Sequence, residues 1–178
     1  TLTNAGAGKA TLTVAADATA VVKNGSIIGG TGNYNIAVGT AVNSTANLTL
    51  EHVTATAGNT GSSMIDNWGT LTIKSGTYTG GLNVVKSDEG STLTINGGTF
   101  ERSYAPRFGV TGTILVYGTT TITDGTFNEK STSTNARVVV TGLVSNYKCI
   151  TSIKGGIFNA NLNNPVFGRV SGAGYDTI

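Results

Sequence analysis

Short runs in which apolar and polar residues alternate recur along this chain, each broken by a Gly-rich bend. The clearest copies are Leu71-Thr-Ile73-Lys-Ser-Gly76-Thr-Tyr78, Leu93-Thr-Ile95-Asn-Gly-Gly98-Thr-Phe100 and Thr120-Thr-Ile122-Thr-Asp-Gly125-Thr-Phe127. Weaker copies begin at Ala20, Leu48 and Thr151. Their fourth positions fall at 23, 51, 74, 96, 123 and 154, so the intervals are 28, 23, 22, 27 and 31 residues. Aligned in this way, one column reads Val22, Leu50, Ile73, Ile95, Ile122, Ile153, aliphatic throughout. Two residues earlier stand Ala20, Leu48, Leu71, Leu93, Thr120, Thr151. A period of two marks a strand with one buried face. Five residues after the aliphatic column come Ile27, Ala55, Tyr78, Phe100, Phe127, Phe158. Between them stand Gly25, Val53, Gly76, Gly98, Gly125, Gly156, a bend that excludes side chains or needs a positive φ.

Strands that repeat every 22 to 31 residues predict a solenoid, because one turn cannot bury its own apolar face and must stack on its neighbours. The expected fold is therefore all-β: a β-solenoid of about six rungs, rising roughly 4.8 Å per rung. A second strand precedes the repeat at Met64-Ile65, Leu82 to Val85, Thr113 to Tyr117 and Arg137 to Val140, so each rung should hold two or three strands. The variation in interval falls in loops: Ser87 to Gly90, Ser103 to Gly109 and Lys130 to Asn135. Residues 1–178 read as a single domain, with an irregular lead-in over 1–19, rungs over 20–160 and an irregular exit over 161–178. The column Lys23, Glu51, Lys74, Asn96, Thr123, Lys154 should face solvent, with opposite charges meeting on successive rungs.

Composition supports this picture. Gly makes up 26 of 178 residues, and only 11% of the chain is charged against a usual share of about a quarter. Hydrophobic content is 38%, which argues against disorder. A net charge of +2, with no basic run, gives no basis for capturing nucleic acid or an anionic membrane. No apolar stretch is long enough for a membrane span. A single Cys149 excludes an internal disulfide. The chain starts at Thr1 and is read as a segment of a longer protein.

Candidate chemistry is sparse. Cleavage of polysaccharide needs two carboxyl groups close together. The candidates Asp66, Asp88, Glu89, Asp124 and Glu129 are expected to be solvated loop side chains, with a pairing of Asp66 and Glu89 across a rung as the only catalytic option. No catalytic residue is assigned. His52 is alone and falls at an outward turn position, so no metal site is expected, and no cofactor. Gly6 to Thr11 lacks the spacing of a phosphate loop. Thr ladders of the ice-binding kind need strictly regular rows, which Ile157 and the uneven spacing argue against. The candidates for surface recognition are Trp68 and Tyr104, with Arg107 and Phe108 in the loop Tyr104 to Phe108. Exposed aromatics beside Asn and Asp suit sugar binding.

The segments Asn67 to Gly80 and Ser91 to Phe100 resemble repeats of right-handed, single-stranded parallel β-helix proteins. Such repeats occur in bacteriophage fibre, tail and head-appendage proteins and in large bacterial adhesins. The resemblance covers about residues 20–160 and implies a rigid, often trimeric shaft on the virion surface that engages a host-surface glycan or other surface proteins. An extracellular bacterial adhesin is the alternative, and a polysaccharide-degrading enzyme a further one. The acidic cleft of the enzymes with this fold is not found in the sequence.

Overall fold

A computed structural model describes residues 1–178 apart from 5, 7, 32–33, 59–60, 105–110, 143–148, 162–163, 172–173 and 177–178. The described residues contain strands and no helix. They form three stacked parallel sheets, and each turn contributes one strand to each sheet. The Thr sheet holds six strands: Thr19–Lys23, Asn47–Glu51, Thr70–Ile73, Thr92–Ile95, Thr119–Ile122 and Ile150–Ile153. The aromatic sheet holds seven: Leu2–Thr3, Ser26–Ile28, Val53–Thr56, Gly76–Thr79, Thr99–Arg102, Thr126–Glu129 and Ile157–Asn159. The third sheet runs through Leu12–Val14, Ile36–Val38, Ile65–Asn67, Val85–Ser87, Thr111–Val116, Ala136–Gly142 and Phe167–Ser171. Its last member, Gly174–Asp176, folds back antiparallel. The fold is a β-solenoid of about five turns.

The register follows the repeat columns. Val22 pairs with Leu50, Leu50 with Ile73, Ile73 with Ile95, Ile95 with Ile122 and Ile122 with Ile153. Leu48, Leu71 and Leu93 lie two residues earlier, also in line. Ala55, Tyr78, Phe100, Phe127 and Phe158 stack one above another in the aromatic sheet. The rings of the last four lie 4.8–5.0 Å apart and within 12° of parallel. On the third sheet Ile36, Ile65, Val85, Ile114 and Val139 complete the core. These columns form one continuous apolar interior along the axis.

The bend between the Thr and aromatic sheets takes two forms. Gly76, Gly98, Gly125 and Gly156 adopt φ of 130°, 114°, 132° and 117°, which side-chain-bearing residues avoid. Val53 cannot take that geometry, so its turn moves the positive φ one residue back, to His52 at 53°. Asn24 does the same in the turn before, at 54°. Asn and His are among the residues that tolerate this region.

The ends are more ordered than the sequence suggests. Leu2–Thr3 and Leu12–Val14 pair in register with later strands, and Phe167–Ser171 extends the third sheet. Among the described residues, the large apolar side chains left exposed belong to the end turns: Leu2, Val21 and Ile28 at one end, Ile150, Ile153, Ile157 and Phe167 at the other. On the outside of the Thr sheet, Thr70/Thr72, Thr92/Thr94 and Thr119/Thr121 form regular rows over three turns, because the uneven spacing is absorbed in loops elsewhere. Glu51 bridges Lys23 and Lys74 at 3.3 Å each, and these two lysines hold its carboxyl below the usual carboxylate range.

Candidate functional site

Strand geometry builds a four-residue square on the outside of the third sheet. Ile65 and Asn67 point inward, so Asp66 points outward, and Trp68 two residues on shares its side. One turn later Lys86 and Asp88 repeat the arrangement. Lys86 pairs directly with Asp66, and the Asp88 amide donates to the carbonyl of Asn67. The corners are therefore Asp66 and Trp68 on one turn, Lys86 and Asp88 on the next. Tyr117, whose amide donates to the Ser87 carbonyl, stands one turn further along the Trp68–Asp88 side.

The contacts are specific. The Trp68 indole Nε1 donates to Asp66 Oδ2 at 2.9 Å. Lys86 Nζ lies 2.6 Å from Asp88 Oδ1 and 3.8 Å from Asp66 Oδ1. The same ammonium sits 5.5 Å from the Trp68 ring centroid and 6.0 Å from that of Tyr117, within cation–π range. Burial pushes the Asp88 carboxyl up to about 7, with the Lys86 ammonium opposing and Asp66 adding to the rise. Burial alone would lower Lys86, but the hydrogen bond and charge of Asp88, with the charge of Asp66, leave it raised. Tyr34 is raised by burial and by Asp66. Beside the square is a cavity of about 410 Å³, lined among others by Lys9, Thr13, Tyr34, Thr40, Asp66 and Trp68.

Three of the five candidate carboxylates are not the solvated loop groups the sequence suggests. Asp66 and Asp88 are 3% exposed and Glu129 is 2% exposed. Asp66 meets Lys86 and Asp88 rather than Glu89, because Asp88 and not Glu89 falls on the outward side of the next rung. Glu129 ends the strand Thr126–Glu129 of the aromatic sheet, in a fully enclosed ion pair. Arg102 Nη1 donates to its Oε2 at 2.6 Å, Arg102 Nε to the Leu82 carbonyl at 2.5 Å, and Nη2 to the Thr111 hydroxyl. Thr113 Oγ1 and the Ser131 amide supply further donors to Glu129. Burial raises this carboxyl against the pull of Arg102. The pair links the aromatic sheet to the third sheet and is out of reach of a ligand. Asp124 stays exposed and accepts from the Gly125 amide, while Glu89 is half-buried.

Among the recognition candidates, Trp68 belongs to the square. Tyr104 is half-buried at the end of its described segment, and Arg107 and Phe108 lie outside the described residues. His52 is exposed, and its amide donates to Ser75 Oγ at 3.0 Å. Lys86, Tyr34 and Tyr117 were not singled out from the sequence, which offered Asp88 only as a solvated loop carboxylate. Their signal is the pair of outward doublets, Asp-x-Trp and Lys-x-Asp, which is readable only once the register of the third sheet is known. Among the described residues no group of three or more His, Cys, Asp or Glu is placed to hold a metal ion, and no helix is long and apolar enough to cross a membrane.

Fold and site together define a parallel β-solenoid carrying an aromatic–carboxylate cluster on one flank. No family model, no curated protein and no solved structure matches the chain.

Proposed function

We propose that this chain is a rigid, surface-displayed adhesive shaft, a β-helical section of a phage head fibre, tail fibre or tailspike, that engages a host-envelope glycan through its Trp68 flank. The carrying observation is the indole of Trp68, fixed by Asp66 at the rim of a cavity and beside buried carboxyl oxygens. Sugar rings stack on aromatic faces while their hydroxyls pair with carboxylates, and this flank offers both. The virion assignment rests on the repeat resemblance. A homotrimer is part of the proposal, supported by the exposed Ile150, Ile157 and Phe167 at the last turn. A glycan array followed by calorimetry tests the binding role: wild type should bind a surface polysaccharide and Trp68→Ala should lose it. Failure of the folded wild type to bind any envelope glycan would overturn the adhesive role. Sedimentation equilibrium should give a trimer, and a monomer at micromolar concentration would remove that part.

A second reading, cleavage of polysaccharide, draws support from the Asp66–Asp88 pair. In the proposed reading the chain binds without cutting. Oligosaccharide length after incubation should stay constant; shortening that vanishes in Asp88→Asn would establish the enzyme instead.

A further inference from the structure

The square at Asp66, Trp68, Lys86 and Asp88 leaves two loose ends. The Asp66 side chain is 5% exposed and that of Asp88 4%. Trp68 takes Asp66 Oδ2 and Lys86 takes Asp88 Oδ1. Asp66 Oδ1 and Asp88 Oδ2 are buried and have no hydrogen-bond partner. A buried acceptor left without a donor costs about 1–3 kcal/mol. Both carboxyl groups face the single Lys86 ammonium, 2.6 Å from Asp88 Oδ1 and 3.8 Å from Asp66 Oδ1, and burial together with the neighbouring Asp66 favours a proton on Asp88. A proton on Asp88 supplies the missing donor in the free protein. A ligand hydroxyl placed over Trp68 would supply it in a complex.

Resting on the glycan-binding reading, we propose that this pocket takes an uncharged sugar whose ring lies against Trp68, and that a sugar hydroxyl, donating to an unpartnered oxygen of the Asp66–Asp88 pair, replaces the proton held on Asp88. The exchange is balanced: the carboxyl O–H opens, its proton passes to solvent, and the sugar hydroxyl keeps its own hydrogen while donating it to the freed carboxylate. Binding therefore releases up to one proton. An acidic sugar is rejected, because its carboxylate would face two acceptor oxygens.

The other groups around the pair are Lys86 on the same strand, Glu89 in the turn after Asp88, Tyr34 and Lys9 at the cavity, and Tyr117 and Cys149 on the following turn. Tyr34, Tyr117 and Cys149 are each pushed upward by burial, away from neutrality. Asp88 is thus the group pushed up to about 7.

Trp68 is the only tryptophan, and its Nε1 is bonded to Asp66, so its fluorescence reports on the pair without any ligand. Wild type should show one fluorescence transition near neutral pH that is absent from Asp88→Asn and moves to lower pH in Asp66→Asn, which removes one cause of the Asp88 rise. Calorimetry with maltotriose, chitotriose and trigalacturonate, in buffers of differing ionisation enthalpy, reads the proton count. The neutral trimers should bind with proton release, their affinity rising by up to about tenfold per unit increase in pH below the transition and levelling off above it. The acidic trimer should not bind. Binding of a neutral trimer that is independent of pH, with no proton released, would overturn this inference and leave the adhesive reading standing. A flat fluorescence profile, or preference for the acidic trimer, would also overturn it. Absence of binding by any glycan, with the fluorescence transition intact, would instead remove the adhesive reading and keep the proton on Asp88.

Discussion

Replacing Phe127 by Ala should destabilise the solenoid far more than the same change one turn later, at Phe158. Phe127 is fully buried, with Phe100 on one face at 4.9 Å and 7° and Phe158 on the other at 4.8 Å and 6°. Backbone ladders above and below hold the rungs about 4.8 Å apart, so the space left by the ring cannot close by collapse. The cost therefore falls at the top of the 3–5 kcal/mol range for burying a cavity of this kind, or about 5 kcal/mol. Phe158 is half-buried, has one parallel neighbour, and meets Phe167 only at 5.7 Å and 53°. Its loss removes about half the buried ring area and one stacked contact, so about 2 kcal/mol is expected. Urea unfolding followed by far-UV circular dichroism measures both. In a stack where each turn touches only its neighbours, the central lesion should also lower the slope of the transition, because the flanking turns lose their coupling. Equal costs at the two positions, or a cost below about 1 kcal/mol for Phe127→Ala, would refute the view that the aromatic column carries the cohesion of the stack.

Two glycines of one repeat column should respond oppositely: Gly76→Ala should cost several kcal/mol, since its Cβ would lie 2.2 Å from the Val53 carbonyl oxygen at φ 130°, whereas Gly25→Ala, with open space and an ordinary φ, should be neutral or stabilising by about 0.5 kcal/mol in thermal melts. Arg102→Met alone should cost about 3–5 kcal/mol by stranding Glu129, whereas Arg102→Met with Glu129→Leu should recover most of it; a double variant no better than the single would refute the burial argument. Thr120 stands in the inward Leu column with a buried hydroxyl that has no partner, so Thr120→Val should raise stability by about 1 kcal/mol in urea titrations, and a loss would show that the hydroxyl is satisfied. Asp88 binds its proton more tightly folded, near 7, than unfolded, near 3.8, so its contribution to stability is fully present below about 4 and is lost as pH rises to about 7. The difference in melting temperature between wild type and Asp88→Asn should follow that fall, and a difference that grows in favour of wild type with rising pH would refute it.

The scaffold was legible because its repeat has one invariant length. From the aliphatic column of the Thr sheet to the aromatic column is five residues in every turn, from Val22 to Ile27 through to Ile153 to Phe158. A constant offset lets two sheets be aligned by eye, and their pairing follows. The third sheet defeats the same procedure. From the aromatic column to its inward aliphatic residue the chain takes 9, 10, 7, 14 and 12 residues, ending at Ile36, Ile65, Val85, Ile114 and Val139. The strands there could be seen, but not which residue lies over which. Asp66 and Asp88 thus read as separate loop carboxylates, and Lys86 gives no sign of lying beside Asp66 until the register is known. The Arg102–Glu129 pair was hidden for a related reason, since it joins residues 27 apart on neighbouring rungs, with Thr111 closing it from the third sheet.

That division has a functional consequence. The invariant half of each turn exposes short, repetitive side chains, mostly Thr, whose substitution would break a column shared by several rungs. The variable half is free of this constraint, because insertions there bulge outward and leave the parallel ladder intact. Large and charged side chains can gather on such a flank without disturbing the core, and that is where Trp68, Tyr34, Lys86, Asp88 and Tyr117 meet. The rigid ladder still positions them, since Asp66 and Lys86 are held one rung apart by paired strands. A solenoid of this kind can therefore change what it binds by altering loops and outward residues of the third sheet alone. Exchanging Asp66, Trp68, Lys86 and Asp88 together for Thr should abolish glycan binding while leaving the stacked-aromatic signature in near-UV circular dichroism unchanged. Loss of that signature would mean that the flank is part of the scaffold and not a site placed upon it.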